Sequence, residues 1–253
     1  MAELPILLSI PHAGTHIPPE LKGRVSLSPL QLLYASDAFA DRIYDLGTDV
    51  AAVVKTDVAR ACVDVNRSPL ARPPAVVDGI VKRMTANDRP VYHPGREPGE
   101  ALTDVLIARY AEPYHAGIMQ ALRRPGLQLA LDCHSMARSG LARQRDHGQS
   151  RPSFCLSSRF GASAPDALLH ALGDALRDAF ALPESEIGYH RPFAGGYITS
   201  RYGRGALSWI QVEINRQLYV RPPWFDKESR TMDPRRLAEL RDAFRAALRS
   251  LRL

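Results

Sequence analysis

The chain has 253 residues, 45% of them hydrophobic and 24% charged, a composition that excludes a disordered or fibrous protein. Its longest apolar runs, around Val50–Val54 and Leu127–Leu131, fall far short of the ~18–20 residues that cross a bilayer, which excludes a spanning helix and a membrane partner. Lys and Arg total 33 against 27 for Asp and Glu, but the arginines are dispersed, an arrangement that argues against nucleic acid and suits a small anionic ligand.

The N-terminal MAELPILLSIPHAG lacks the basic start and small-residue cleavage site of a secretory leader and predicts a cytoplasmic protein. Cys62, Cys133 and Cys155 form neither a C-x-x-C pair nor a disulfide framework, which fits a reducing compartment.

The first predicted strand is Ile6–Ile10, ending in the PHAG turn. Ser28-Pro29 opens a capped helix with proline at its first position, and a second helix is expected over Ser36–Leu46, stopped by Gly47. Val50–Lys55 reads as a buried strand, and Cys62–Asn66 as an extension of the same region. Arg72–Pro98 is rich in Pro and Gly and predicts a long loop or flap over the sheet. Glu100–Arg123 has helical apolar spacing that Pro113 should kink or interrupt. Leu127–Cys133 is an apolar strand, followed by an Arg/Gly/Ser-rich surface loop at Arg138–Pro152. A helix over Ala164–Phe180, an irregular glycine-containing stretch, a strand over Leu207–Ile214 and an Arg-rich amphipathic helix over Pro234–Leu251 complete the chain. Strands alternating with helices predict an α/β fold, and no domain boundary stands out within residues 1–253.

In open α/β sheets the functional crevice lies at the carboxyl ends of the strands. Here those ends carry His12, the Asn66-Arg67 pair, Asp132 with His134, and Glu213. Singly, each has an ordinary structural explanation. Together they hold the elements of a hydrolytic zinc site: two imidazoles, a carboxylate ligand and a second carboxylate beside the attacking water. There is no H-E-x-x-H and no cysteine ligand pair.

The ordered blocks LLSIPHAGTHIP, SDAFADRIYDLG, VDVNRSP, LALDCHSM, HRPFAGGYITSRYG and QVEINRQLYV, from Leu7 to Val220, resemble the N-formylglutamate amidohydrolase family. The resemblance implies a single domain over 1–253 with a mixed sheet flanked by helices, like zinc carboxypeptidases and other phosphorylase/hydrolase-like folds. It implies Zn²⁺, or another divalent metal, held by His12, Asp37 and His134. His16 is the rival to Asp37, because the H-x-x-E spacing of carboxypeptidases is absent and Thr15 stands three residues after His12.

By the same resemblance Glu213 is the general base, or else a strand-end partner of Arg216. Asp132 orients an imidazole from behind, or forms a buried salt bridge. Arg67 and Asn66 match a substrate-binding position. Arg60 and Arg201 are candidates for holding a carboxylate or polarising the acyl oxygen, with Tyr197 as a wall or donor and His115 as a supporting residue. His93, His147 and His170 receive no role. The implied reaction is hydrolysis of N-formyl-L-glutamate to formate and L-glutamate, within histidine breakdown. Alternatives are a deacylase of another N-acyl amino acid, a carboxypeptidase-like peptidase, or a non-catalytic anion-binding protein of the same fold. The oligomeric state is not legible.

Overall fold

The computed structural model describes residues 3–253, so the first two positions of the expected 1–253 domain lie outside the described residues. Six strands form one sheet: β1 (Leu4–Ile10), β2 (Val50–Lys55), β3 (Leu129–Met136), β4 (Phe154–Ser157), β5 (Ile187–Tyr189) and β6 (Ser208–Asn215), in the order β2-β1-β3-β6-β4-β5. The first four in that order run parallel, and β4 is antiparallel to β6, which makes the sheet mixed as expected. A short hairpin, β7 (Phe225–Asp226) with β8 (Thr231–Met232), lies apart from it. Among the described residues no helix is long and apolar enough to cross a membrane.

Alternation along the strands divides the sheet into two chemically different faces. Ile6, Leu8 and Ile10 of β1, Leu131 and Cys133 of β3, and Ile210, Val212 and Ile214 of β6 point to one face. They pack there under α2 (Ala40–Tyr44), α5 (Asp166–Ala179) and α7 (Pro234–Ser250), with Phe244 set edge-on to Tyr44 at 4.8 Å. Leu7, Ala130 and Trp209 point the other way, under α3 (Glu100–Leu106), α4 (Glu112–Ala121) and the turns around Val58–Val65. By the same alternation Asp132, His134, Gln211 and Glu213 project on this second side, all of them buried.

Local chemistry explains where elements start and stop. The capping box forms at α1 (Pro29–Ala35): the Gln31 amide donates to Ser28 Oγ and the Ser28 amide to Gln31 Oε1. The helix expected from Ser36 begins only at Ala40, because the Asp37 amide donates to the His12 carbonyl at 2.9 Å and Phe39 turns through a positive φ of 60°. That turn is what delivers Asp37. Cys62–Asn66 is not a strand: the Cys62 and Val63 amides return to the Ala59 carbonyl, and the Asn66 amide to Asp64 Oδ1. Ahead of Pro113 the α3–α4 helix widens into a single π-type turn over Ile107–Ala111, which absorbs the missing proline N–H without breaking the run. The glycine-containing stretch adds a helix, α6 (Tyr197–Tyr202).

The PHAG turn that carries His12 requires a glycine. A Cβ on Gly14 would lie 2.1 Å from the backbone carbonyl of Asp57, and only the bare backbone can pass. Gly14→Ala is therefore expected to lower unfolding stability by about 1–3 kcal/mol, the range for overpacked sites. Gly205→Ala, whose Cβ would meet nothing closer than 3.6 Å, serves as the control. Equal urea midpoints for the two variants would contradict the close approach.

Candidate active site

The carboxyl ends of β1, β3 and β6 open into a cavity of about 960 Å³ whose wall includes His12, Arg60, Asn66, Arg67, His134 and Glu213. His12, Asp37 and His134 each direct one ligand atom to a common point, and these atoms lie within 4.8 Å of one another. All three residues are buried, and the two rings stand with centroids 4.8 Å apart.

Each imidazole is backed by a carboxylate. His12 Nε2 lies 2.7 Å from Asp64 Oδ1, and His134 Nε2 lies 3.1 Å from Asp132 Oδ1. With its Nε2 donating to Asp64, His12 keeps Nδ1 as the lone-pair nitrogen, 3.6 Å from Asp37 Oδ2. His134 Nδ1 lies at hydrogen-bond distance, 3.0 Å, from the same oxygen, and its Nε2 also meets the Asn66 side-chain amide at 3.1 Å. His12 Nδ1 is buried and has no hydrogen-bond partner among the described residues. Two imidazole nitrogens and a carboxylate oxygen gathered in one place, with carboxylates behind both rings, fit a divalent ion with nitrogen and oxygen preference such as zinc. The orphaned Nδ1 is the atom that such an ion would satisfy.

The electrostatics agree with that fit. Burial opposes charge on Asp37, but its contacts with His12 and His134 outweigh it and hold the carboxyl well below the usual range. Burial likewise opposes charge on His134, yet Asp132 and Asp37 bracket the ring and push its pKa well above the ordinary value. The carboxylates around the two rings thus favour positive charge here.

Glu213 sits beside His134 in the paired register of β3 and β6. Burial pushes its carboxyl up to about 7, opposed by the charge of His134 and helped by that of Asp37. Gln211 Nε2 donates to Glu213 Oε1 at 3.0 Å. Arg216 forms no ion pair with Glu213.

Asp132 is held by more than its histidine. Ser9 Oγ donates to Oδ1 at 3.3 Å, and Thr199 Oγ1 and Asn66 Nδ2 donate to Oδ2 at 3.1 and 3.5 Å. Asn66 Oδ1 accepts from the Ile198 amide at 2.7 Å, so its amide faces inward to the protein. A Cβ on Gly196 would lie 2.5 Å from Asn66 Nδ2, which is why the start of α6 can close over it. Arg67 stands on the cavity wall and donates to Asp78 Oδ2 at 2.7 Å. Arg60 reaches Asp64 and Asp37 at 3.3 and 3.7 Å.

Other expected residues lie elsewhere. Tyr197 and Arg201 bond to each other at 2.6 Å on α6, and neither lines the cavity. His115 is buried behind the site, its Nδ1 2.9 Å from the Tyr202 hydroxyl; burial lowers its pKa to about 4. His16 is exposed and lines a separate cleft beside β2, away from the His12–Asp37–His134 cluster.

Sequence reading missed Asp64 and Lys82. Asp64 is fully buried and receives His12, Arg60 and, at 2.9 Å, the Lys82 ammonium. Lys82 also meets Asp78. The signal for Asp64 was the Asp-x-Asn spacing within VDVNR, an Asx turn concealed by apolar neighbours. Nothing in the Pro/Gly-rich stretch marked Lys82.

The N-formylglutamate amidohydrolase family model matches residues 4–220. The chain is 28% identical to the N-formylglutamate deformylase of Pseudomonas aeruginosa and 26% identical to that of Pseudomonas putida, each over 86% of this chain and 82% of the relative. A crystal structure of N-formylglutamate amidohydrolase from Ralstonia eutropha superposes with a TM-score of 0.80 at 24% identity, covering 98% of this chain and 93% of that one, which shows a shared fold.

The environment of Glu213 can be measured directly. In metal-free protein, ¹³C NMR is expected to show one glutamate side chain titrating near 7, and Glu213→Gln should remove that resonance. A Glu213 signal titrating as an ordinary exposed glutamate would show that the carboxyl is solvated instead of dry.

Proposed function

The chain belongs to the N-formylglutamate amidohydrolase family, and from that premise we propose that it hydrolyses the formyl amide of N-formyl-L-glutamate, with residues 1–253 acting as one domain. The observation that carries this reading is the meeting of His12, Asp37 and His134 within 4.8 Å, beside a buried Glu213, in a cavity rimmed by cations.

His12, Asp37 and His134 would hold a divalent metal, zinc by the chemistry of the donor set. When bound, that metal supplies Lewis acidity, which makes water nucleophilic near neutral pH and polarises an acyl oxygen. Asp64 keeps the His12 imidazole in the tautomer that presents Nδ1, and Asp132 lies behind the His134 ring. Glu213, with its carboxyl raised toward neutrality, accepts a proton from the attacking water as the new C–O bond forms at the formyl carbon. It then gives that proton to the departing nitrogen as the C–N bond breaks, so that formate and L-glutamate leave with no other reactant consumed. Arg60, which pairs with Asp37 and Asp64, would receive charge developing on the acyl oxygen. The cationic wall, Arg67 included, favours entry of a substrate with two carboxylates.

Purified protein is expected to release formate from N-formyl-L-glutamate, to lose the activity on chelation and to regain it with zinc. Absence of formate from the zinc-loaded protein would refute the substrate assignment. Glu213→Gln should lower kcat by about 10²–10⁴-fold, the size of a general-base contribution, with KM moved far less. Near-normal turnover by folded Glu213→Gln protein would show that another group moves the proton.

A further inference from the structure

Most cations in the cavity wall are already matched by a carboxylate. Arg60 meets Asp64 and Asp37, Arg67 and Lys82 meet Asp78, Arg143 meets Asp88, and Arg151 is held by Asp146. Arg89 and Lys227 have no ion pair among the described residues, but both are exposed, where water compensates their charge.

Arg216 is different. It follows β6 directly, three residues beyond Glu213, and is half-buried in the wall. Its NH1 donates to the carbonyls of Tyr34 and Ser36, both at 3.1 Å, which fixes the guanidinium just before the Asp37 turn. Its Nε is buried and has no hydrogen-bond partner, and no carboxylate pairs with it among the described residues. Neutral carbonyls hold the group in place without cancelling its charge. Arg216 also borders a second, mainly apolar cavity of about 670 Å³ that shares Tyr34 and Leu141 with the first, so the guanidinium is reachable from solvent. A pre-positioned, half-dry guanidinium with donors to spare and no counter-ion calls for a planar oxyanion from outside.

Resting on the deformylase reading above, we infer that Arg216 anchors one carboxylate of the substrate and is a specificity-determining residue of this site. It supplies the counter-charge that the Arg67 guanidinium, already engaged by Asp78, does not offer freely. The anchored group is a carboxylate on a short carbon chain, at the α or the γ position of the acylated glutamate.

The test compares wild type, Arg216→Gln and Arg216→Lys on N-formyl-L-glutamate, on N-formyl-L-glutamine, which lacks the γ charge, and on the α-amide of N-formyl-L-glutamate. Arg216→Gln is expected to raise KM for N-formyl-L-glutamate by about 10–100-fold, the size of a lost charge-assisted hydrogen bond, with kcat within a few-fold. That penalty should vanish on whichever analogue lacks the anchored carboxylate, and Arg216→Lys should recover part of it. An equal loss on all three substrates, or no loss, would overturn the inference and leave Arg216 as a brace for the Asp37 turn. If Arg216→Gln does not fold, Arg216→Lys carries the same comparison with a smaller expected KM rise. If the wild-type protein releases no formate, the reaction assignment fails, and calorimetry with glutarate decides the anchor separately: binding weakened at least tenfold by the substitution supports it, while glutarate binding that is unchanged or absent in wild type overturns it.

Discussion

The site depends on one buried carboxylate, Asp64. It has no exposed surface, and ionisation there is tolerable only because Lys82, Arg60 and His12 surround it and the Asn66 amide donates to it. Burial resists the charge, and Lys82 leads the groups that overcome it and hold the carboxyl well below its usual range. A permanently ionised Asp64 accepts from His12 Nε2, and that acceptance leaves His12 Nδ1 as the lone-pair nitrogen at the centre of the site. The same carboxylate ties three distant stretches together: the PHAG turn after β1, the VDVNR turn, and the segment around Lys82. A neutral residue at Asp64 would free the His12 tautomer and leave the buried Lys82 ammonium with the exposed Asp78 as its one partner among the described residues.

The other half of the site is built by the sheet. Parallel pairing sets His134 opposite Glu213, and the pleat puts Asp132 on the same side as His134. Two buried carboxyls at one site then acquire opposite characters from their surroundings. Asp37 touches both imidazoles and stays ionised, whereas Glu213 is buried with a neutral amide for company and is pushed up to about 7. Such separation is what assigns a ligand role to one carboxylate and a proton-transfer role to the other.

Much of this was legible because strand ends announce themselves. The apolar runs before His12, His134 and Glu213 fixed which residues would stand at the carboxyl edge of the sheet, and the polar residues there had nowhere else to project. Asp37 was legible only through the likeness of SDAF to a family block, since helical periodicity across Ser36–Leu46 hid the turn that the His12 carbonyl imposes. Asp64 was hidden by its neighbours, because Val-Asp-Val reads as a strand until the Asx turn at Asn66 is seen. Lys82 and Asp78 were hidden by distance, lying in a Pro/Gly-rich stretch whose pairing with Asp64 and Arg67 is set by tertiary structure alone. The four residues of β4 and the six of α6 are too short to carry a periodic signal.

Apolar packing on both faces of the sheet supports the polar site at its carboxyl edge. A buried ion-pair network roughly breaks even against desolvation, so the cluster around Asp64 adds little to the folding free energy. The apolar burial comes from the cluster on the opposite face, where Ile6, Leu8, Leu131 and Val212 meet Tyr44, Leu172 and Phe244 of α2, α5 and α7, and from the cluster under α3 and α4 around Leu7, Ile118 and Trp209, at about 1.5–3 kcal/mol for each large side chain. Because stability comes from these clusters, the carboxyl edge can hold groups that would not choose to be buried. The Asp37 turn shows the consequence. It is held by the His12 carbonyl from one side, by Tyr219, whose hydroxyl donates to Ala38, from a second, and by Arg216 through Tyr34 and Ser36 from a third. A turn fixed from three sides leaves Asp37 little to reorganise when a cation or a substrate arrives, and an arrangement that need not reorganise is what stabilises charge most strongly in a dry cavity.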